Sequence, residues 1–255
     1  MSDLIFTEEY VFSTIQGEGK YMGTACTFIR LSGCNLRCSW RNQDGSETLC
    51  DTPYSSFKPE RNKKPILETV KLVNSLKHNH IVISGGEPFM QEGLVELVYE
   101  LKNSGNFVTI ETNGTTFLNT EADFISISPK LSSSANGKFK EMQNKNRIDL
   151  EELTKFLLRY DCQLKFVANT EDDINEIKDL IDQLCLSLVK ESHKLGRPTK
   201  TNSENIANLV WLMPQGVSAA QLNDKAQWIW EVCEQEGWNF SDRLHVRIWG
   251  HKRGI

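Results

Sequence analysis

The chain has 255 residues, of which 39% are hydrophobic and 25% are charged, and its formal net charge is −5. This composition is typical of a globular protein that can bury a core without disulfides, and the acidic balance disfavours bulk binding to nucleic acid or anionic membranes. No apolar run reaches the length of about 18 residues that a membrane span needs, and the first ten residues lack the basic start and apolar core of a secretory signal. We therefore expect a single domain over residues 1–255, located in the cytoplasm.

Short apolar runs alternate with amphipathic stretches from residue 26 onwards, which indicates strand-helix units around a parallel sheet. The predicted elements, in chain order, are a strand at 27–31, a helix at 66–77, a strand at 80–84, a helix at 92–103, strands at 107–111, 124–128 and 163–167, a helix at 172–189, a strand at 209–213 and a helix at 219–236. In the helices, apolar residues recur at intervals of three or four. The pattern predicts the α/β class.

Three segments interrupt this pattern: a loop over residues 33–65, a polar stretch over 131–147, and a hydrophilic connection over 190–205 that we expect to be a surface excursion. Polar or glycine-containing sequence follows each predicted strand, and ligands of parallel sheets and barrels bind at the carboxyl ends of the strands. We therefore expect one large site, built from residues 32–34, 84–88, 111–115, 128–130, 165–167 and 213–216.

The seven cysteines form an odd set at low density, which does not suggest a disulfide scaffold. Because free cysteine is among the most buried residue types, the four scattered ones are predicted to be structural: Cys26, Cys162, Cys185 and Cys233. Cys34, Cys38 and Cys50 lie together in loop-like sequence. Three thiolates can hold three irons of a [4Fe-4S] cluster and leave the fourth iron open to a small molecule. A zinc site completed by His80 is the alternative.

The cysteine loop resembles that of radical S-adenosylmethionine (SAM) enzymes, whose usual pattern is C-x3-C-x2-C. Cys34 and Cys38 match the first half, whereas Cys50 follows Cys38 only after a stretch that contains an apparent insertion at 41–49. Within that superfamily the chain resembles the 7-carboxy-7-deazaguanine synthase family, in which the motif runs directly into Asp-Thr, as Cys50-Asp51-Thr52 does here. Further blocks follow in that family's order, so the resemblance extends from residue 12 to residue 255: 13–19, 28–31, 85–88, 111–114, 128–130, 164–166, 212–216 and 243–245.

The resemblance implies a partial (β/α)6 barrel, similar to an incomplete TIM barrel, with a cluster-binding loop inserted at residues 33–57. It also implies a lyase that converts 6-carboxy-5,6,7,8-tetrahydropterin to 7-carboxy-7-deazaguanine with loss of ammonia, as in queuosine-type deazapurine biosynthesis. In that reaction the reduced cluster cleaves SAM to a 5′-deoxyadenosyl radical, which abstracts hydrogen from C6 of the substrate, and SAM is regenerated. An external electron donor of the flavodoxin type and a homodimer are implied as well.

The resemblance assigns roles to matching residues of this chain. Cys34, Cys38 and Cys50 would hold the cluster, and Thr52 would bind Mg²⁺ together with the substrate. The implied SAM contacts are Trp40, Gly85, Gly86, Glu87, Glu111, Asn113, Ser128, Pro129, Lys130, Met213, Pro214, Gln215 and Gly216. The implied substrate contacts are Ile15, Gln16, Gly17, Glu18, Arg30, Ser84 and His245. A guanidinium suits the substrate carboxylate because it offers a rigid fork of donors.

Without the resemblance, several of these residues have plainer interpretations. Gly85-Gly86 would be a tight turn that exploits the conformational freedom of glycine, and Glu111 would cap a strand end. Asp51-Thr52-Pro53 would also be a turn, whereas under the resemblance the Asp51 carboxylate could order waters around Mg²⁺. Arg30 could form half of a surface ion pair. His245 lies in an alternating stretch, where a lone histidine is more often structural.

The insertion displaces the residue that normally packs on adenine beside the last cysteine, and Trp40 or Leu49 could replace it. Two other functions fit part of the pattern. A glycyl-radical activase would share the cluster and the Gly-Gly-Glu-Pro motif, but it would not require the Gln-Gly-Glu-Gly turn, the Asp-Thr pair or Arg30. A non-enzymatic iron-sulfur or zinc protein would be expected to supply four ligands. These features favour the lyase.

Overall fold

The computed structural model describes residues 3–41, 45–194, 206–250 and 252–255. Within these residues the strands are β1 (Asp3–Ile15), β2 (Ala25–Leu31), β3 (Ser39–Arg41), β4 (Glu47–Leu49), β5 (Asn62–Pro65), β6 (His80–Ser84), β7 (Phe107–Thr112), β8 (Phe124–Ile127), β9 (Cys162–Ala168), β10 (Val210–Pro214) and β11 (Asn239–Phe240). Nine of these described strands form one sheet in the order β11-β10-β9-β8-β7-β6-β2-β1-β5, and β3 pairs with β4.

All six predicted strands are confirmed, with ends that differ by at most two residues. They are β2, β6, β7, β8, β9 and β10, and each pairs in parallel with its neighbour. The sheet is therefore mostly parallel, as the α/β prediction requires. The strand β1 was not predicted because polar residues interrupt its alternation, and its pairing with β2 shifts register between Phe6 and Val11. Both β2 and β5 pair antiparallel to it.

The helices of the described residues are α1 (Ile66–Asn74), α2 (Leu94–Asn103), α3 (Lys140–Asn146), α4 (Leu150–Arg159), α5 (Glu171–Lys194), α6 (Ala219–Glu236) and α7 (Leu244–Trp249). The four predicted helices are α1, α2, α5 and α6. The predicted surface excursion at 190–205 begins inside this helix, because α5 continues to Lys194 and buries Ser192. Residues 195–205 lie outside the described part of the chain.

The core lies between the sheet and the helices that follow its strands. It contains apolar side chains of β6, β7 and β9, such as Ile83, Ile110 and Leu164, and of α2, such as Leu97. Of the four scattered cysteines, three are buried and Cys185 is half-buried, and all four are free thiols. This supports their predicted structural role. No helix of the described residues is long and apolar enough to cross a membrane.

The turn between β1 and β2 contacts the residues that follow β11, the strand at the far edge of the sheet. In this turn the Gln16 backbone N–H donates to Thr24 O at 2.7 Å. The Gly19 N–H donates to Ser241 Oγ at 2.7 Å, and Gly17 O accepts from Leu244 N–H at 2.9 Å. Ser241 and Leu244 follow β11 at the opposite edge of the sheet. The turn therefore bridges the opening of the partial barrel, from β1 and β2 to the edge formed by β11.

Candidate active site

A cavity of about 280 Å³ lies inside the curved sheet, where the parallel strands end. Nearly all of the residues that the resemblance assigns to the cluster, Mg²⁺, SAM or the substrate line it. Two do not: Glu87 and Pro129 are buried behind the wall. The structure thus brings together side chains that lie up to about 230 residues apart in the sequence.

The insertion in the cysteine motif folds outward as a hairpin. The β3 and β4 strands pair in antiparallel register, with Ser39 opposite Leu49, and Ser39 Oγ donates to Glu47 at 2.5 Å. At the base of the hairpin, Cys50 N–H donates to Cys38 O at 2.9 Å. The long spacing therefore does not separate the two cysteines, because the inserted residues leave and return at the same point.

The paired glycines allow the loop after β6 to contact the cysteine loop. A Cβ on Gly86 would lie 1.9 Å from Gly33 O, and a Cβ on Gly85 would lie 2.0 Å from Leu31 O. Gly85 also has a φ of +139°, which side-chain-bearing residues rarely adopt. Both glycines line the cavity, but the close approach that requires them is to the backbone beside Cys34. The sequence assigned these glycines to SAM contact or to a tight turn and did not predict their contact with the cysteine loop.

The donor set fits a [4Fe-4S] cluster better than zinc. Three free thiols, Cys34, Cys38 and Cys50, line the cavity. In the described part of the chain, no three His, Cys, Asp or Glu side chains converge tightly enough to hold a single metal ion. Cysteine ligands of a [4Fe-4S] cluster bind different irons and need no such convergence. His80 does not complete a zinc site, because it lies at the start of β6 and its Nε2 is 2.9 Å from Thr109 Oγ1.

Burial disfavours free thiolates at this site. It raises the pKa of Cys34 to about 12, where the neighbouring Glu87, Cys38 and Cys50 charges add to the effect. Burial also raises the pKa of Cys38 to about 11, although Lys130 opposes that shift. A bound cationic metal centre reverses this preference because it stabilises the deprotonated ligands. The buried thiols are therefore suited to a metal cluster rather than to acting as free nucleophiles.

Glu87 is an internal brace of the cavity wall. Its side chain is fully buried and accepts hydrogen bonds from Phe89 N–H at 3.1 Å, Thr112 Oγ at 2.8 Å and Asn113 N–H at 2.7 Å. Burial raises its pKa to about 7 despite these donors and Lys130. The structure therefore places Glu87 where it holds the loops after β6 and β7 together.

Four buried or half-buried charges form a network along one wall. Glu18 pairs with Lys165 and accepts from Arg243 Nε at 2.9 Å, and Arg243 also pairs with Asp51. Burial alone would raise the pKa of Glu18, but Lys165 and Arg243 hold it well below its usual range. Burial would likewise raise the pKa of Asp51, but Arg243 lowers it. Both carboxylates are therefore ionised acceptors at neutral pH.

Arg30 has no carboxylate partner in the described residues. Its guanidinium lies 5.2 Å from the Phe28 ring centroid and 5.8 Å from that of Phe12. Arg30 itself forms no ion pair within 4.0 Å with any described side chain. The alternative of a surface ion pair is thus not supported. Arg30 leaves a cationic fork facing the cavity, in position to bind an anion.

Glu111 connects residues that were assigned to different ligands. It accepts from Gln16 Nε2 at 3.0 Å and from Ser84 Oγ at 2.8 Å, so the implied SAM contact touches two implied substrate contacts. The Asn113 side chain is engaged instead with the cysteine loop, since its Nδ2 donates to Asn35 Oδ1 at 2.9 Å. Both residues hold the wall in shape as well as lining the cavity.

His245 lies in helix α7, not in an extended stretch as the alternation of Leu244, His245 and Val246 suggested. Its ring packs against the turn after β1, because a Cβ on Gly17 would lie 2.0 Å from His245 Nδ1. Burial lowers the pKa of His245, which favours the neutral ring. The glycine at position 17 is therefore required by the approach of this imidazole.

The remaining implied contacts surround the cysteines. Thr52 Oγ1 is 3.4 Å from Cys50 Sγ, in the turn that the plain interpretation predicted. Lys130 donates to Ser128 Oγ at 2.7 Å. Trp40 lines the cavity, and its buried indole Nε1 has no hydrogen-bond partner in the described part of the protein. The remaining residues of this wall lie at the end of β10 and in the loop that follows it: Met213, Pro214, Gln215 and Gly216.

Sequence reasoning missed two parts of the site. Lys165 and Arg243 occurred in motifs but received no role, because nothing local predicts their pairing with Glu18. The segment 252–255 also lines the cavity. Arg253 anchors it by donating to both carboxylate oxygens of Glu60, at 2.8 and 2.5 Å, and by lying 3.9 Å from the centroid of the Tyr54 ring.

Comparison with known proteins identifies relatives across nearly the whole chain. The profile of the Radical SAM superfamily matches residues 28–156. The chain is 34% identical to the 7-carboxy-7-deazaguanine synthase of Rhodopirellula baltica, over 99% of this chain and 89% of that protein. It is 32% identical to the protein of that name from Halobacterium salinarum, over 94% and 88% of the two chains.

Solved structures confirm the fold. The crystal structure of QueE from Escherichia coli matches with a TM-score of 0.69 at 22% identity, and the match covers 95% of each chain. Streptococcus suis SuiB bound to S-adenosylmethionine matches with a TM-score of 0.50 at 12% identity, over 82% of this chain and 48% of that one. Together with the sequence relatives and the superfamily profile, these similarities show that the chain is a radical SAM enzyme and belongs to the 7-carboxy-7-deazaguanine synthase family.

Proposed function

We propose that this enzyme converts 6-carboxy-5,6,7,8-tetrahydropterin to 7-carboxy-7-deazaguanine, with loss of ammonia. The observation that carries the proposal is one cavity lined by the three cysteines, the paired glycines and Arg30, which has no ion-pair partner among the described residues. Similarity to the Rhodopirellula baltica 7-carboxy-7-deazaguanine synthase over 99% of the chain supports it. A glycyl-radical activase would not need a cationic fork inside this enclosed cavity.

Cys34, Cys38 and Cys50 would hold the [4Fe-4S] cluster, and SAM would bind beside it. When bound, the two groups supply the one-electron chemistry that removes a hydrogen atom from C6 of the substrate. The residues proposed to contact SAM are Trp40, Gly85, Gly86, Glu111, Asn113, Ser128, Lys130, Met213, Pro214, Gln215 and Gly216. Trp40, which lines the cavity, would pack on the adenine, whereas Glu87 and Pro129 would act from behind the wall.

The substrate would lie across the charged wall. Arg30 would bind its carboxylate bidentately, since a guanidinium matches that geometry. Glu18 is held ionised, so it would accept hydrogen bonds from ring N–H groups. Gln16 and Ser84 would fix the ring from the side that Glu111 supports. The neutral His245 ring, packed on Gly17, would close the pocket together with the backbone of residues 15–17.

Mg²⁺ would bind at Thr52, where the substrate carboxylate and waters would complete its shell, as Mg²⁺ usually takes few protein ligands. Asp51 is already paired with Arg243, so it would influence the ion through water rather than as a direct ligand. We also propose an external electron donor of the flavodoxin type and a homodimeric enzyme. The proposed substrate is a small molecule bound in the cavity, and the proposal includes no nucleic acid.

The test is anaerobic turnover of reconstituted protein with SAM, Mg²⁺, a strong reductant and 6-carboxytetrahydropterin, followed by mass spectrometry. Wild type should form the deazapurine, whereas Cys50→Ala should lose both the cluster and the activity. The matched control is Cys185→Ala, which removes a half-buried thiol on α5 and should keep both. Cleavage of SAM by wild type without consumption of the pterin would contradict the substrate, and full activity of Cys50→Ala would contradict the ligand set.

A further inference from the structure

The polar stretch 131–147 received no role in the sequence, yet it carries a fully buried amide against the cysteine loop. Gln143, in α3, is 0% exposed. Its Nε2 donates to Cys38 Sγ at 3.1 Å, and its Oε1 accepts from Arg37 N–H at 2.8 Å. Both ends of the amide are therefore satisfied by residues of the cluster motif itself.

The hydrogen-bond pattern fixes the orientation of this amide. The Arg37 backbone N–H is a donor, so the amide oxygen must face it, and the NH₂ group is then directed at the sulfur. Helix α3 is held in place from its far end, because Arg147 donates to Lys130 O at 3.0 Å and pairs with Glu176 of α5. On the other side, Asn136 Nδ2 donates to Ser39 O at 2.8 Å, directly after Cys38. The donor is thus presented to Cys38 Sγ from a braced segment.

We infer that Gln143 is a positioning residue that raises the reduction potential of the cluster through its N–H···S hydrogen bond to Cys38. This inference rests on the proposed role of Cys38 as a cluster ligand. Hydrogen bonds to cysteine sulfurs are among the factors that set cluster potentials. Reduction adds negative charge to the cluster and its sulfurs, so a donor at the sulfur stabilises the reduced form more than the oxidised form.

The experiment is an anaerobic redox titration of reconstituted protein, followed by visible absorbance and by the electron paramagnetic resonance (EPR) signal of the reduced cluster. Gln143→Met keeps the length of the side chain but removes the donor, and Gln143→Glu places a carboxylate oxygen against the sulfur. Both variants should have more negative midpoints than wild type, and Gln143→Glu the more negative of the two. For Gln143→Met we expect a roughly tenfold lower ratio of reduced to oxidised cluster at a fixed solution potential, equivalent to about 59 mV for a one-electron couple.

Gln163 offers a matched control. It is 2% exposed, its Nε2 donates to Ser126 Oγ at 2.7 Å, and its Oε1 accepts from Lys20 N–H at 2.8 Å. Gln163→Met therefore removes an equally buried, doubly bonded amide that contacts no cysteine, and its midpoint should equal that of wild type. Wild-type midpoints for both Gln143 variants would overturn the inference. Iron and sulfide analysis separates that outcome from failure of the proposed function, in which wild type itself would bind no [4Fe-4S] cluster.

A second measurement needs no variant. Among the described glutamines, Gln143 is the one whose amide reaches a cysteine sulfur. Pulsed EPR of the reduced wild-type cluster, with ¹⁵N confined to glutamine side chains, should detect hyperfine coupling to one amide nitrogen. If a Gln143 variant fails to assemble its cluster, this spectrum decides the matter, and a spectrum without such coupling overturns the inference.

Discussion

Arg243 joins three walls of the cavity through one side chain. It donates from Nε to Glu18 in the turn after β1, pairs with Asp51 next to Cys50, and donates from Nη1 to Gly216 O at 2.7 Å in the loop after β10. Its neighbours raise its pKa further, although burial opposes this, so it remains a cation throughout the accessible pH range. The guanidinium is well suited to this position because its five donors lie in one rigid plane.

Removal of this guanidinium should destabilise the fold. Arg243→Met would leave the buried Glu18 with Lys165 alone and Asp51 without its partner, and breaking a buried ion pair typically costs about 3–5 kcal/mol. Urea denaturation should show that loss in the free energy of unfolding. The control is Arg247→Met, which breaks a more exposed pair with Asp242 and should cost at most about 1 kcal/mol. Equal losses in the two variants would show that the network adds nothing beyond a surface pair.

Glu87 should make stability depend on pH. Burial raises its pKa from 4.5 to about 7, so the native state holds a proton that the unfolded chain releases. The stabilisation is complete below pH 4.5 and is lost as pH rises through 7, by up to about 3 kcal/mol. The measurement is the free energy of unfolding of metal-free protein between pH 5 and 8.

Glu87→Gln isolates this effect. The lowered pKa values of His80 and His245 make the free energy of unfolding increase as pH rises. Because both histidines are present in wild type and in the variant, this contribution cancels in the comparison. The stability of wild type relative to Glu87→Gln should therefore fall with a slope close to one proton between about pH 5 and 6.5 and level off above pH 7. A difference that is constant across the range would mean that Glu87 is ionised in the native state.

Among the elements, the β3–β4 hairpin extends the wall of the cavity while Cys38 and Cys50 stay next to each other in space. Trp40 lies in β3, and the hairpin also contributes Thr48 and Leu49 to the cavity wall. Because Cys50 N–H bonds to Cys38 O, the base of the hairpin already has the close geometry that a two-residue spacer would give. The hairpin should therefore affect SAM binding more than cluster binding.

Deletion of residues 41–49 tests this separation. The shortened protein would carry the C-x3-C-x2-C spacing, and we expect its iron and sulfide content to equal that of wild type. The lost wall should raise the KM for SAM several-fold in the turnover assay. Cys50→Ala serves as the reference for a protein that cannot bind the cluster. A shortened protein that also lacks iron would show that the hairpin is needed to form the cluster site itself.

Elements could be predicted from the sequence where burial of one face imposes a regular spacing of apolar residues. The six parallel strands and four helices bury mostly apolar residues at regular intervals, so periodicity identified them. Helix α4 was missed even though Asp149 caps it by accepting from Glu151 and Glu152 N–H at 3.1 and 3.0 Å. That cap followed by Leu153 and Phe156 was an available signal. Helix α7 has six residues, too few for a period of 3.6 to be distinguished from alternation.

At the scale of the whole molecule, closure of the partial barrel creates the site. The cysteine loop and the strand ends could be predicted from sequence because each is local to its strand. The contact between Glu18 and Arg243 spans 225 residues. The turn between β1 and β2 brings Glu18 to the edge of the sheet that carries Arg243. No local sequence pattern encodes such a contact, since it forms only when the β1–β2 end and the β11 edge of the sheet are both folded.

The most direct test of the proposed reaction is anaerobic turnover with 6-carboxytetrahydropterin that carries deuterium at C6. The deazapurine should form and deuterium should appear in the recovered SAM, because hydrogen removed from C6 passes to the 5′ carbon within this cavity. Both compounds are measured by mass spectrometry in one reaction. Deazapurine formation with unlabelled SAM, or labelled SAM with no deazapurine, would overturn the proposed reaction.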